Sequence, residues 1–220
     1  MVSDMAIYRQ RLAKVRQDLA MESEAANIKA LYERHANQWD QDRGRDLFEQ
    51  PWLDTFLSFL PAGSSILDIG CGSAEPIARV FVERGFKVTG VDSSPSLIEI
   101  CQRRFPDEHW IVADMRELRL NSQFQGVIAW NSLFHLRPED QRPMFELFAR
   151  HSAPKALLMF TSGDRNGEVL GEYRGEPLYH GSLDASEYRQ LLNDYGFAVL
   201  EHIVDDPTCG HHTIWLAQLR

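Results

Sequence analysis

The stretch Leu67-Asp68-Ile69-Gly70-Cys71-Gly72-Ser73-Ala74-Glu75-Pro76 leaves this chain few folds to choose from. It reads as a buried strand that breaks into a glycine turn and then opens a helix. Two glycines one residue apart allow a tight turn that a Cβ would obstruct. They also let a ligand approach the main chain, where the free N–H groups of the next helix point outward. A dinucleotide fingerprint, G-x-G-x-x-G, needs a third glycine where this chain has Glu75. A carboxylate in the first helical turn would repel a pyrophosphate seated there. No G-K-[ST] follows, so the P-loop reading fails as well.

A nucleoside ligand without phosphates suits these residues, and S-adenosylmethionine is one. It carries an ammonium and a sulfonium, both favoured by a carboxylate such as Asp68. Phe86 to Asp92 reads as a second strand ending in an acid, and Asp92 lies within the usual reach of ribose hydroxyls. The apolar run Trp110 to Ala113 ends in Asp114. Three strands thus each deliver an aspartate at the C-terminal edge, where open α/β sheets bind ligands.

LDIGCGSAEP, VTGVDSSPSLIEICQRRF, VADMREL and FQGVIAWNSLFHL resemble, in order and spacing, motifs I to IV of class I S-adenosylmethionine-dependent methyltransferases. The resemblance covers roughly residues 30 to 160, with Ala74 where many members have a glycine. It implies a Rossmann-like, doubly wound α/β fold with a seven-stranded sheet, mostly parallel with an antiparallel last strand, and N-terminal helices before it. It implies that Asp68 and Gly70 flank the methionine moiety, that Asp92 holds the ribose hydroxyls, and that Asp114 takes the adenine amino group with the Met115 backbone at the ring; Cys71 and Ser93 are further cofactor-binding candidates. Asn131 would lie where the fourth strand passes the methionine end. The reaction implied is methyl transfer to a small molecule, with S-adenosylhomocysteine as product. A noncatalytic S-adenosylmethionine-binding sensor or accessory subunit is the alternative, and an NAD-dependent oxidoreductase is disfavoured by Glu75 and the order of the aspartates.

Punctuation along the chain agrees with alternating strands and helices. Ser94 and Pro95 open a helix, Pro138 opens another, and Asp184 with Glu187 makes a capping-box-like start to a third. Buried strands are expected at 156–161, 198–204 and 213–219. The last two are joined by a link too short for a crossover, so they should pair antiparallel. Residues 163 to 181 read as a long loop, and such loops are usually functional or disordered.

Residues 1–45 read as an N-terminal helical lid or arm before a methyltransferase domain at 46–220, packed on the domain or across a homodimer. Leu12, Val15 and Leu19 have helical spacing. Tyr32 to Arg43 resembles the Y-x-x-x-A-x-x-[YW]-D-x-x-R segment of many small-molecule methyltransferases. By that resemblance Tyr32 covers the cofactor and Arg43 pairs with its carboxylate, with Trp39 as a further cofactor-binding candidate. His135, just after the fourth strand, is the candidate general base, because an imidazole titrates near neutrality. Its other reading is to orient the loop. Tyr173, Tyr179 and His180 in the 163–181 segment, with His211 and His212 on the same sheet edge, are candidates to line the acceptor pocket. They lack metal-ligand spacing, so no metal is expected.

The formal charge of −9, with dispersed basic residues, disfavours nucleic acid as a substrate. No apolar run approaches a membrane span, and the N-terminus lacks a secretory pattern. Three irregularly spaced cysteines imply a reduced, cytoplasmic setting. The identity of the acceptor is not legible.

Overall fold

The computed structural model describes residues 2–220, with side chains described from Arg9 onward; Met1 of the 1–45 segment lies outside the described residues. Helices α1 (Val2–Arg34), α2 (Ala36–Asp42) and α3 (Gln50–Ser58) come first. The alternating part follows: β1 (Ser65–Ile69), α4 (Ile77–Glu83), β2 (Lys87–Asp92), α5 (Pro95–Arg104), β3 (His109–Val112), β4 (Phe124–Ala129), α6 (Pro138–His151) and β5 (Ser152–Ser162). Beyond it lie β6 (Gly167–Tyr173), β7 (Glu176–Ser182), α7 (Ala185–Asp194), β8 (Phe197–Asp206) and β9 (His212–Leu219).

Seven strands form one sheet in the order β3-β2-β1-β4-β5-β9-β8. Strands β1 to β5 pair in parallel, whereas β9 runs antiparallel to both β5 and β8. This is the doubly wound sheet expected from the sequence. Side-chain alternation divides its two faces. Ile66, Ile128, Leu157 and Met159 face α3 and α4 through Phe56 and Phe81. Leu67, Val127, Leu158 and Phe160 face α6 and α7 through Phe145, Phe148, Tyr188 and Leu192. Both faces are buried, so the central strands read as near-continuous apolar runs. Chain order reverses between β1 and β4, and a crevice opens beyond their C-terminal ends at that switch point.

Residues 163–181 are not a structureless loop. Most of the segment is a β-hairpin in which Gly167 to Tyr173 pair with Ser182 back to Glu176. Arg174 (φ 52°) and Gly175 (φ 81°) make its two-residue turn, with the positive dihedrals that hairpin twist favours. Strand β6 is almost wholly exposed, so it lacks the apolar alternation that marks a strand in sequence.

Helix α4 begins at Ile77 rather than at the glycine turn. Glu75 is buried, its carboxylate held by Arg79 Nε at 2.7 Å. That charge is compensated and Glu75 does not line the crevice, so it does not discriminate between ligands. At α7 the Asp184 cap forms, accepting from Ser186 N–H, while Glu187 reaches Arg142 at 2.6 Å instead of closing a capping box.

Candidate functional site

The turn after β1 is clamped to the end of β2: Gly70 N–H and Cys71 N–H both donate to the Val91 carbonyl, at 2.7 and 3.0 Å. Gly70 has φ +80°, and a Cβ there would fall 2.3 Å from Ser132 Cβ. Ser132 cannot retreat freely, because its hydroxyl donates to the Ile69 carbonyl at 2.6 Å. Gly72 N–H donates to Asp92 Oδ2 and Ser94 N–H to Asp92 Oδ1, each at 2.9 Å. Each carboxylate oxygen keeps a further lone pair. Burial outweighs these hydrogen bonds and pushes Asp92 up to about 6. Among the described residues no cation pairs with it, and Asp92 suits neutral hydroxyl donors.

A cavity of about 390 Å³ runs along this edge, a volume suited to one drug-sized ligand. Its lining takes in Gly70 and Gly72 at the turn, Asp92 and Ser93 after β2, and Asp114 and Met115 after β3. Asn131 and His135 contribute from beyond β4, and Tyr32 and Trp39 from the N-terminal helices. Asn131 adopts φ +51°, fixed by its N–H to Thr161 Oγ1 at 2.8 Å. Asp114 caps a short 3₁₀ turn and is forked by Arg116 at 2.7 and 3.0 Å, which lowers its pKa.

Three residues expected at the cofactor stand back from the cavity. Asp68 is buried and raised to about 7, by burial first and the Asp92 charge second. Cys71 is buried with Cys101, and burial raises its thiol. Arg43 pairs with the fully buried Glu49, which satisfies its charge within the protein.

Helix α1 is tied across the site by its last turns. Glu33 accepts from Ser94 Oγ (2.5 Å), Ser96 N–H (3.1 Å) and Ser96 Oγ (2.7 Å) at the N-terminus of α5. Helix α2 is anchored where Arg104 forks Asp40 with two contacts of 3.0 Å. The hairpin closes the other flank: Glu176 takes His35 at 2.5 Å as well as Arg34, and Asp42 takes Tyr173 and Arg174 at 2.9 to 3.0 Å.

His135 sits inside this closure with both ring nitrogens engaged. Its Nδ1 lies 2.9 Å from the Tyr179 carbonyl, an obligate acceptor, so Nδ1 carries the proton. Its Nε2, 2.9 Å from the Tyr32 hydroxyl, is therefore the acceptor of that O–H. Burial pushes His135 down to about 3 and the Tyr32 phenol well up. A neutral imidazole whose free lone pair is already hydrogen-bonded is poorly placed to abstract a proton.

The acceptor candidates divide. His180 packs against His135 with ring centroids 5.1 Å apart, and Tyr173 packs edge-on to Trp39 at 5.6 Å. Tyr179 is buried, gives its carbonyl to His135 and donates its hydroxyl to Glu168 at 2.5 Å, so it supports rather than lines the cavity. His211 and His212 do not converge with His135. His212 stacks between Phe48 and Trp130, both at 5.6 Å, and His211 is an exposed partner of Asp205 at 3.0 Å. The tight β8–β9 connection turns both away.

The cavity also contains residues that the motifs did not announce. Ala25, Ala26, Ile28 and Lys29 line it from α1, while Arg116 and Asp140 line its outer end and pair at 2.9 Å. Only the two-residue spacing from Asp114 to Arg116 hinted at them.

Residues 66–155 match a family model described as a methyltransferase domain. A putative methyltransferase, YqeM, from Bacillus subtilis (strain 168) is 30% identical over 136 residues, 59% of this chain and 54% of that protein. Magnesium-protoporphyrin O-methyltransferase from Rhodobacter capsulatus is 38% identical over 117 residues, 50% of this chain and 51% of that protein. The chain thus spans about half the length of these curated relatives. A Burkholderia thailandensis 1,6-didemethyltoxoflavin-N1-methyltransferase, solved with bound 1,6-didemethyltoxoflavin and S-adenosylhomocysteine, shares the fold with a TM-score of 0.70 at 19% identity, over 90% of this chain and 89% of that one. Its matched domain, its sheet order and the residues along the cavity make the chain similar to class I S-adenosylmethionine-dependent methyltransferases.

Proposed function

We propose that the chain is an enzyme that binds S-adenosylmethionine in the 390 Å³ cavity and transfers its methyl group to a small-molecule acceptor, releasing S-adenosylhomocysteine. The observation that carries this reading is the order of groups along one cavity: glycine turn, unpaired Asp92, then Asp114 with Met115. Asp92 would accept from the ribose hydroxyls through its two free lone pairs. Asp114 retains lone pairs beside Arg116 for the adenine amino group, with Met115 and Ala113 against the ring. Gly70 and Gly72 leave room at the methionine end, and Trp39, whose Nε1 is 3.5 Å from where a Cβ on Gly72 would be, covers that turn.

Bound S-adenosylmethionine brings an already activated methyl group, so the protein's task is alignment and exclusion of water. Helices α1 and α2 with the hairpin act as the cover, consistent with the lid reading of residues 1–45. His135 is a positioning residue here: it holds the Tyr32 hydroxyl at the cavity wall. The side beyond Asn131, walled by Tyr32, Trp39 and His135, is where an acceptor would enter, with Tyr173 packed against Trp39 and His180 against His135. Acceptors that carry their own nucleophilic lone pair, and need no strong base, suit it best.

A second reading, a noncatalytic S-adenosylmethionine-binding subunit, draws on the packing of Tyr32, Trp39 and Tyr173 against one another on that side. Thermal unfolding with S-adenosylmethionine, S-adenosylhomocysteine or NAD tests the cofactor. A ligand at about 100 times its Kd stabilises by about 2.7 kcal/mol, and a shift with the first two alone supports the proposal. No shift with either, in a cooperative melt, refutes it. An acceptor screen read by S-adenosylhomocysteine release then separates enzyme from binding subunit.

A further inference from the structure

Helix α1 changes character along its length. Its last turns are built into the molecule, with Leu31 fully buried and Glu33 capping α5. From Arg9 to Ala20 every residue is exposed. Leu12, Val15 and Leu19 form one stripe there, exposed by 40%, 54% and 59%. In the sequence the same three-and-four spacing runs upstream through Tyr8 and Met5. That is the heptad pattern of helices that pair along an apolar seam. In proteins most helical stability comes from tertiary packing of an apolar face, so an exposed arm of this kind calls for a partner.

Charge selects the partner. Residues 9–16 hold four cations (Arg9, Arg11, Lys14, Arg16) and no acid; residues 18–24 hold three acids (Asp18, Glu22, Glu24) and no cation. Laid parallel, two copies would set like charges side by side and bring their folded bodies to the same end. Laid antiparallel, the basic half of each runs along the acidic half of the other. The segment is its own complement.

We propose that residues 9–24 of α1 pair antiparallel with the same residues of a second copy of this chain. The two-fold axis falls near Gln17, with Val15 packed against Leu19 of the second copy. Sixteen residues give a seam of about 24 Å. The contact is isologous, as a two-fold interface must be. It has a consequence for the cavity, since Glu22 and Ala25 line its mouth. Cations of the second copy's basic half arrive beside Glu22, whose internal partner, Arg137, is 3.7 Å away. The pairing does not depend on methyl transfer and goes beyond it.

Sedimentation equilibrium of the full chain at micromolar concentration tests this, with circular dichroism to confirm folding. The expected result is twice the chain mass for the wild type and a monomer for Val15→Glu with Leu19→Glu, both exposed positions. Glu22→Lys with Glu24→Lys should also give a monomer. Adding Arg9→Glu and Arg11→Glu to that pair should restore the dimer, which a parallel seam or another surface would not do. A monomeric wild type, a dimer indifferent to Val15 and Leu19, or failure of the charge swap to restore it overturns the proposal. Binding of a monomer to anionic phosphatidylserine vesicles, lost in Val15→Glu, would assign the arm to a lipid surface and overturn it equally. The Val15 and Leu19 outcomes do not bear on S-adenosylmethionine binding, which the thermal assay reads separately; the Glu22 variants, at the cavity mouth, are read by mass alone.

Discussion

Asp92 gives the ribose assignment a quantitative signature in pH. Its carboxylate is raised to about 6 because burial outweighs its backbone hydrogen bonds, and among the described residues no cation faces it. Hydroxyl donors need the charged form. At pH 7 about 90% of a group with this pKa is ionised, and at pH 5 about 10%. Affinity for S-adenosylhomocysteine should therefore fall about tenfold, or about 1.4 kcal/mol, between pH 7 and pH 5. Titration calorimetry at half-unit steps should show one inflection near pH 6. Asp92→Asn should weaken binding at pH 7 by about 1.5–3 kcal/mol, the scale of hydrogen bonds to a charged group, and should flatten the pH dependence. It should also lower the pKa of Asp68, for which the Asp92 charge is the second cause of elevation. A flat Kd in the wild type, or an unchanged inflection in Asp92→Asn, would refute the reasoning.

Other perturbations probe the cover and the turn. Tyr32→Phe leaves the buried His135 Nε2 without its donor and should destabilise the fold by about 1–3 kcal/mol in urea unfolding; a loss under 0.5 kcal/mol would mean the pair is not formed in solution. Because His135 is held neutral down to about 3, against about 6.5 when unfolded, the folded state binds fewer protons in that window. Its share of stability should be intact above about pH 6.5 and decline as pH falls toward 3, and His135→Gln should blunt that decline in acid unfolding. Once an acceptor is found, the pH–rate profile should carry no inflection from His135 between pH 5 and 8. Gly70→Ala combines a positive φ with a Cβ 2.3 Å from the anchored Ser132; a loss of about 2–4 kcal/mol is expected, and a silent change would show that the turn relaxes. Glu33→Ala removes three hydrogen bonds between α1 and α5 and should speed proteolytic cleavage in α1 while leaving the sheet domain intact.

The sheet and the cofactor edge were legible because their physics is local. Gly70 is required by a backbone dihedral and a close approach, Ser94 and Pro95 by helix starts, and the antiparallel β9 by a short connection. The cover was legible only in part. Tyr32 and Trp39 line the cavity as their segment implied, yet Arg43 pairs with Glu49, a residue no motif marks. The hairpin escaped notice because strand β6 is exposed and shows no alternation. Sheet topology alone puts His211 and His212 on the acceptor edge; it fixes an edge but not which way a tight turn aims its side chains. Long-range pairs such as Arg34 and His35 with Glu176 are invisible to spacing.

His135 shows how that long-range packing determines chemistry. In sequence it is a histidine after a fourth strand, with an ordinary imidazole's ability to take a proton. Two contacts set by other elements change it: the β7 backbone at Tyr179 fixes the proton on Nδ1, and Tyr32 of α1 occupies Nε2. The contact with α1 depends on the cover being closed. Lifting α1 would free Nε2 and admit water, raising the histidine toward its ordinary range just when the cavity is open to solvent. Under the proposed function, a closed α1 would leave no free base beside the reactants. A site built this way favours acceptors that arrive already nucleophilic, and acceptor screens should begin with thiolates and unprotonated amines.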